Sequence, residues 1–138
     1  MRFEDLEVWR RSARLGSELY KVTAGLKDWG FRDQLTRAGL SISSNIAEGY
    51  ERDSHRDCAR ILFIAKGSCG EVRSQLYIGL DVGYIEAAKG KAWIQECKEI
   101  SRMLSALIKK RRQYANEVSD DAPEYDADDQ PRTLPLAP

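Results

Sequence analysis

Asn45-Ile46-Ala47-Glu48-Gly49-Tyr50, Arg52, Ser54, then Phe63-Ile64-Ala65-Lys66-Gly67-Ser68, Glu71, Gln75-Leu76 and Gly83-Tyr84: this stretch decides the fold. Apolar residues recur in it at helical spacing, and polar residues recur among them. An amphipathic helix does not need Asn45, Glu48, Glu71 and Gln75 on or beside its packing face. Polar groups placed there must be paired within a bundle or used at a contact with another chain. The segment therefore points to helix–helix recognition and away from catalysis.

Working outward, the periodicity divides the chain into four helices. The first is expected over residues 5–24, with Leu6, Trp9, Ala13, Gly16 and Tyr20 on one stripe and Val8, Leu15, Leu19 and Val22 on a second. That double face is wider than a monomeric bundle requires. The second helix is expected over 31–49, on Phe31, Leu35, Ala38, Ile42 and Ile46. Ser54 is a good N-cap for a third over 55–82, carried by Cys58, Leu62, Ala65, Cys69, Val72 and Leu76. Gly67 and Gly70 sit inside it; each costs a helix about 1 kcal/mol relative to Ala, and their presence predicts close approach of another backbone. The fourth is expected over 86–116, on Trp93, Cys97, Ile100, Leu104, Leu107 and Ile108. Short connections favour an all-α, antiparallel up-down-up-down four-helix bundle.

The 138 residues allow one domain, and all four prolines fall after residue 122. Charge divides at the same place. Residues 1–116 carry 21 Lys and Arg against 15 Asp and Glu, while residues 117–138 carry one Arg against seven acids. A basic body is thus joined to an acidic, Pro-rich tail. The tail has too few large apolar residues to offset its ordering entropy and is expected to be disordered. The expected organisation is a bundle over 1–116 and a tail over 117–138. A body with six excess positive charges suits a polyanionic partner; the alternative is an ordinary soluble helical surface. No apolar run reaches membrane-spanning length, and charges occupy the place of a signal peptide's apolar stretch, so a cytoplasmic protein without membrane contact is expected.

The polar spacing of 45–75, with the opening Phe3-x-x-Leu6-x-Val8-Trp9, resembles the family of small four-helix-bundle proteins first noticed as products of intervening sequences in bacterial 23S ribosomal RNA genes. The resemblance runs from about Phe3 to Tyr114. Relatives include the accessory variability proteins of diversity-generating retroelements. The resemblance implies a four-helix subunit, a ring-shaped homopentamer, nucleic-acid binding in the retroelement branch, and no established enzymatic activity. Asn45, Glu48, Arg52, Ser54, Glu71 and Gln75 match the family pattern. Their expected role is structural or interfacial: Ser54 as cap, Asn45 and Gln75 as buried hydrogen-bonding groups, Glu48 and Glu71 as partners for Arg or backbone donors.

Catalytic and cofactor chemistry finds little support. His55 is the only histidine, and His55-x-x-Cys58 is too small a set for a metal that needs about four converging ligands. The Glu-x-x-His motif of di-iron bundles is absent, as is a P-loop. Gly67-Ser68-Cys69-Gly70 mimics a Gly-x-x-Gly clamp but lies mid-helix. Cys58, Cys69 and Cys97 read as buried reduced thiols. A Glu48/Glu71 acid–base pair has no accompanying nucleophile. No cofactor, metal or catalytic residue is expected. Two basic groups remain, Arg10, Arg11 and Arg14 on the first helix and Lys109, Lys110, Arg111 and Arg112 on the fourth; such groups bind RNA or DNA phosphates without reading sequence. The expected function is a non-enzymatic homo-oligomer that binds nucleic acid through these faces. A protein–protein adaptor is the alternative, and an enzyme comes third.

Overall fold

The computed structural model describes residues 2–119; the expectation for the acidic tail falls on residues outside these, except at 117–119. A single 3-10 turn, Phe3–Asp5, leads into four helices: α1 (Glu7–Thr23), α2 (Trp29–Tyr50), α3 (His55–Asp81) and α4 (Ala87–Ser119). Among the described residues there is no strand. Each helix packs on the next, and α1 returns to α4, which closes the bundle. Gly49 near the end of α2 packs against Cys58 and Leu62 near the start of α3, and Leu80 at the end of α3 packs against Gly90 at the start of α4, the antiparallel arrangement.

Local chemistry sets the helix ends. Asp28 accepts the Phe31 N–H at 3.1 Å, and so starts α2 two residues earlier than its apolar stripe suggested. Ser54 accepts the Asp57 N–H at 3.0 Å and caps α3. Gly83 closes α3 at φ +80°, with the Tyr84 and Ile85 N–H groups both donating to the Gly79 carbonyl. α4 continues three residues past the expected boundary at 116, because Glu117-Val118-Ser119 contains no helix breaker and the first proline comes only at 123.

Leu19, Leu35, Ile42, Ile46, Leu62, Leu76, Ile100 and Leu104 are fully buried and form the centre of the core. The three cysteines are free and buried within it. Of the two stripes on α1, the one carrying Val8, Leu15 and Leu19 faces inward, whereas Tyr20 is 42% exposed. The glycine expectation is corrected. Close backbone approach occurs between Gly16 and Gly39, where a Cβ on Gly16 would stand 3.5 Å from the Gly39 carbonyl oxygen. A Cβ on Gly67 or Gly70 would meet nothing within 4 Å, because both lie on the side of α3 opposite Ala65 and Cys69.

Candidate nucleic-acid interface

The last turns of α4 lie beside the start of α3 and the end of α2, and cations and aromatic rings interleave there. Arg111 is half-buried, with Nη1 3.0 Å from His55 Nδ1 and its guanidinium 4.7 Å from the Tyr50 ring centroid. A guanidinium only donates, so His55 Nδ1 accepts and the His55 proton sits on Nε2. The His55 ring stacks at a tilt on Tyr114, 5.1 Å between centroids, and Lys110 Nζ lies 6.0 Å from the Tyr114 centroid. Arg112 covers the Phe63 ring at 5.7 Å. Each contact is a cation–π or ring contact that holds a charged head near the surface without neutralising it. Burial raises the Tyr50 hydroxyl and the Cys58 thiol above their ordinary values and keeps both protonated.

Beside this cluster an open groove of about 380 Å³ runs between α3 and α4, lined by Arg56, Arg60, Phe63, Arg112 and Asn116 over a floor of Ala59 and Ala115. Arg60 carries a loose ion pair to Asp57 at 3.6 Å. Reading the sequence by runs of charge missed Arg56, Arg60 and Phe63, since they are scattered along α3. The signal was there in their spacing: Arg56 and Arg60 are one turn apart, Phe63 nearly another, and an antiparallel α4 brings Arg112 alongside.

The basic group on α1 is differently placed. Arg11 donates through Nε to Glu96 Oε2 at 2.9 Å, and through Nη2 to Glu96 Oε1 and Glu99 Oε1, both at 2.5 Å. Glu7 adds a 3.5 Å contact. Arg11 thus clasps α1 to α4, and its charge is already matched by three carboxylates. These hydrogen bonds push its own acidity further out of reach and hold Glu99 below the usual carboxylate range. Trp93 Nε1 donating to Glu18 Oε1 at 3.2 Å is a second link across the same seam. Arg10 is exposed, donating to the Glu4 carbonyl at 3.2 Å. Arg14 is exposed beside Glu18 and Glu96. The three arginines do not form one anion-binding face.

The polar set of 45–75 lies along the outer flank of the α2–α3 seam. Asn45 Nδ2 donates to the Ser41 carbonyl at 2.8 Å and to Ser41 Oγ at 2.9 Å. Ser41 Oγ meets Ser68 Oγ at 2.8 Å, so the link from α2 to α3 passes through the two serines. Arg52 pairs with Glu48 at 2.7 Å. Gln75 is half-buried, and its Oε1 is buried without accepting a hydrogen bond among the described residues. Glu71 is exposed, on the stripe it shares with the exposed Ile64 and Ile78. Among the described residues no three His, Cys, Asp or Glu converge as a metal would require, and no helix is long and apolar enough to cross a membrane.

Comparison with known proteins places this geometry. Residues 4–106 match the family described as 23S rRNA-intervening sequence protein. A crystal structure of a protein of unknown function from the S23 ribosomal protein family of Bacteroides thetaiotaomicron superposes with a TM-score of 0.69 at 25% identity, covering 74% of this chain and 98% of that one. No protein with a curated description matches the chain.

Proposed function

The chain belongs to the 23S rRNA-intervening sequence protein family, and we propose that it is a non-enzymatic homo-oligomer, pentameric by resemblance, that binds nucleic acid through the basic end of α4. The observation that carries the reading is the interleaving of Lys110, Arg111 and Arg112 with Tyr114, Tyr50 and Phe63, with Lys109 next to them in the chain. Lys109, Lys110 and Arg112 are exposed, and among the described residues no carboxylate is paired with any of the four. A cation with no carboxylate partner and a solvated head is free to replace a phosphate's counterions, and binding of that kind tolerates any sequence. A ring of copies would repeat the cluster and add avidity.

Self-association is assigned to the outer flank of α2 and α3. There Ile64 and Ile78 stand about half exposed next to the buried, unpartnered oxygen of Gln75. A second copy would cover the apolar groups and supply the missing donor. The same flank favours the second reading, a protein–protein adaptor without nucleic acid.

The test is fluorescence anisotropy of labelled RNA and DNA oligonucleotides, at low and at physiological salt. Binding should weaken steeply with salt. Replacing Lys109, Lys110 and Arg112 with Gln should weaken it for every sequence. Absence of binding at low salt rejects the reading and leaves the adaptor.

A further inference from the structure

The cations at the α4 end open onto a longer surface. Residues at seven-residue spacing fall on one stripe of a helix, drifting only slowly around it. On α4, the stripe from Arg112 back to Lys91 and the stripe from Asn116 back to Gln95 hold five cations and no carboxylate. On α3, Arg56, Phe63, Gly70 and Tyr77 share one stripe, and Lys66 and Arg73 lie seven apart beside it. Both sets face one groove, because Phe63, Arg112 and Asn116 line it together and Arg112 lies over Phe63. The seam runs in register away from there: Cys69 Sγ donates to the Cys97 carbonyl at 3.0 Å, and Gly90 packs on Leu80. Of the acids on these helices, Glu71 is on the stripe of Ile64 and Ile78, Asp57 is drawn to Arg60 at 3.6 Å, Asp81 lies one turn past Tyr77, and Glu99 is taken up by Arg11 on the α1 side.

Two rings stand in this surface. Phe63 is 56% exposed and Tyr77 50% exposed. They are fourteen residues apart, about 21 Å along the helix. Between them Gly67 and Gly70 leave α3 without side chains, and a Cβ on either would meet nothing within 4 Å. The result is a shallow track with cations along both walls, bare backbone in the middle and a ring toward each end.

We propose that the outer α3–α4 groove, from Phe63 and Arg112 to Tyr77 and Lys98, is a binding track for single-stranded nucleic acid. This rests on the nucleic-acid reading above and adds to it the strand class and the path. The rings decide the class. Duplex bases are stacked on one another and cannot lie on a side chain, whereas the bases of a single strand can stack on exposed aromatic rings while its phosphates meet cations. An acidic polypeptide would use the cations but gain nothing particular from two separated rings.

The experiment uses the full chain and fluorescence anisotropy with a labelled single-stranded oligonucleotide, the duplex of the same sequence and a labelled poly-glutamate peptide. Phe63→Leu with Tyr77→Leu should weaken single-strand binding at least about tenfold, since each stacked base contributes roughly 5- to 150-fold, and should leave duplex binding unchanged. Lys98→Gln with Arg102→Gln, far from the α4 end, should weaken binding of the single strand and flatten its salt dependence. Circular dichroism and melting curves check that each variant is folded; ring variants that melt early are replaced by Phe63→Met and Tyr77→Met, which carry the same expectation. The track is overturned if the ring variants bind the single strand as wild type does, or if poly-glutamate binds as tightly and loses as much on ring removal. It is also overturned if Lys98→Gln with Arg102→Gln is silent while replacing Lys109, Lys110 and Arg112 is not; the proposed function then stands. No binding of any oligonucleotide by wild type at low salt overturns the proposed function itself.

Discussion

Arg11→Met should destabilise the bundle and leave nucleic-acid affinity untouched. Methionine keeps most of the length and apolar stem but removes the guanidinium that joins Glu96 and Glu99 to α1. An exposed ion pair contributes about 0–1 kcal/mol, and a hydrogen bond to a charged group roughly 1.5–3 kcal/mol when it is sheltered. The Arg11 side chain is 26% exposed, between these limits, so its three charge-assisted hydrogen bonds together are expected to contribute about 1–2 kcal/mol. The loss includes new repulsion between Glu96 and Glu99, three residues and so just under one helical turn apart. For a domain of this size that corresponds to a melting midpoint lower by roughly 4–10 °C. Thermal and urea denaturation followed by circular dichroism measure it. The pH dependence gives the sign. Arg11 holds Glu99 below the ordinary glutamate value, so its contribution is complete above that value and is lost as pH falls through the lowered one. The wild type should therefore lose its advantage over Arg11→Met in acid. An unchanged midpoint at neutral pH would refute the clasp. A loss of oligonucleotide affinity equal to that of Arg112→Gln would refute the claim that Arg11's charge is already spent inside the subunit.

Other expectations are more local. Gly39→Ala places a methyl 2.9 Å from Leu19 Cδ1, and its overpacking should outweigh the gain in helix propensity for a net loss of about 1 kcal/mol. Gly70→Ala, with nothing within 4 Å, should instead gain up to about 1 kcal/mol; parallel urea titrations separate the two. Ser54→Ala removes the acceptor for the Asp57 N–H and should cost about 0.5–2 kcal/mol by the same assay. Asp28, held below its usual value by the Phe31 N–H and the Tyr84 hydroxyl, adds stability that is complete above the ordinary aspartate value and lost as pH falls below it; Asp28→Asn should flatten that acid limb of a stability–pH profile. Deleting residues 120–138, with their six acids, should raise oligonucleotide affinity at low salt, because a tethered polyanion competes at high effective concentration.

The four helices were legible because each carries an uninterrupted 3.6-residue apolar pattern, and because Ser54 and Gly83 are punctuation with a physical cause. The start of α2 was not, since Asp28 acts through a single side-chain hydrogen bond two residues ahead of the first apolar position. The glycines of α3 were misread for an instructive reason: glycine content says that a side chain is absent, but only the helix's rotation relative to Ala65 and Cys69 says on which side. Among the α1 arginines, the commitment of Arg11 within the subunit was not legible either. A run of like charge looks like a polyanion site until the opposing helix is known, and Glu96 and Glu99 lie more than eighty residues away in sequence. The basic end of α4 was legible as a run. Its α3 partners were not, because the residues that complete the groove are dispersed and become neighbours only when α3 and α4 pack antiparallel.

Assembly and nucleic-acid binding meet in one measurement, size-exclusion chromatography with multi-angle light scattering of the full chain at micromolar concentration, run with and without a single-stranded oligonucleotide at low salt. The account predicts a peak of about five times the 15.7 kDa chain mass, with the oligonucleotide's absorbance moving into that peak when it is added. A 15.7 kDa peak with the oligonucleotide eluting separately would contradict it.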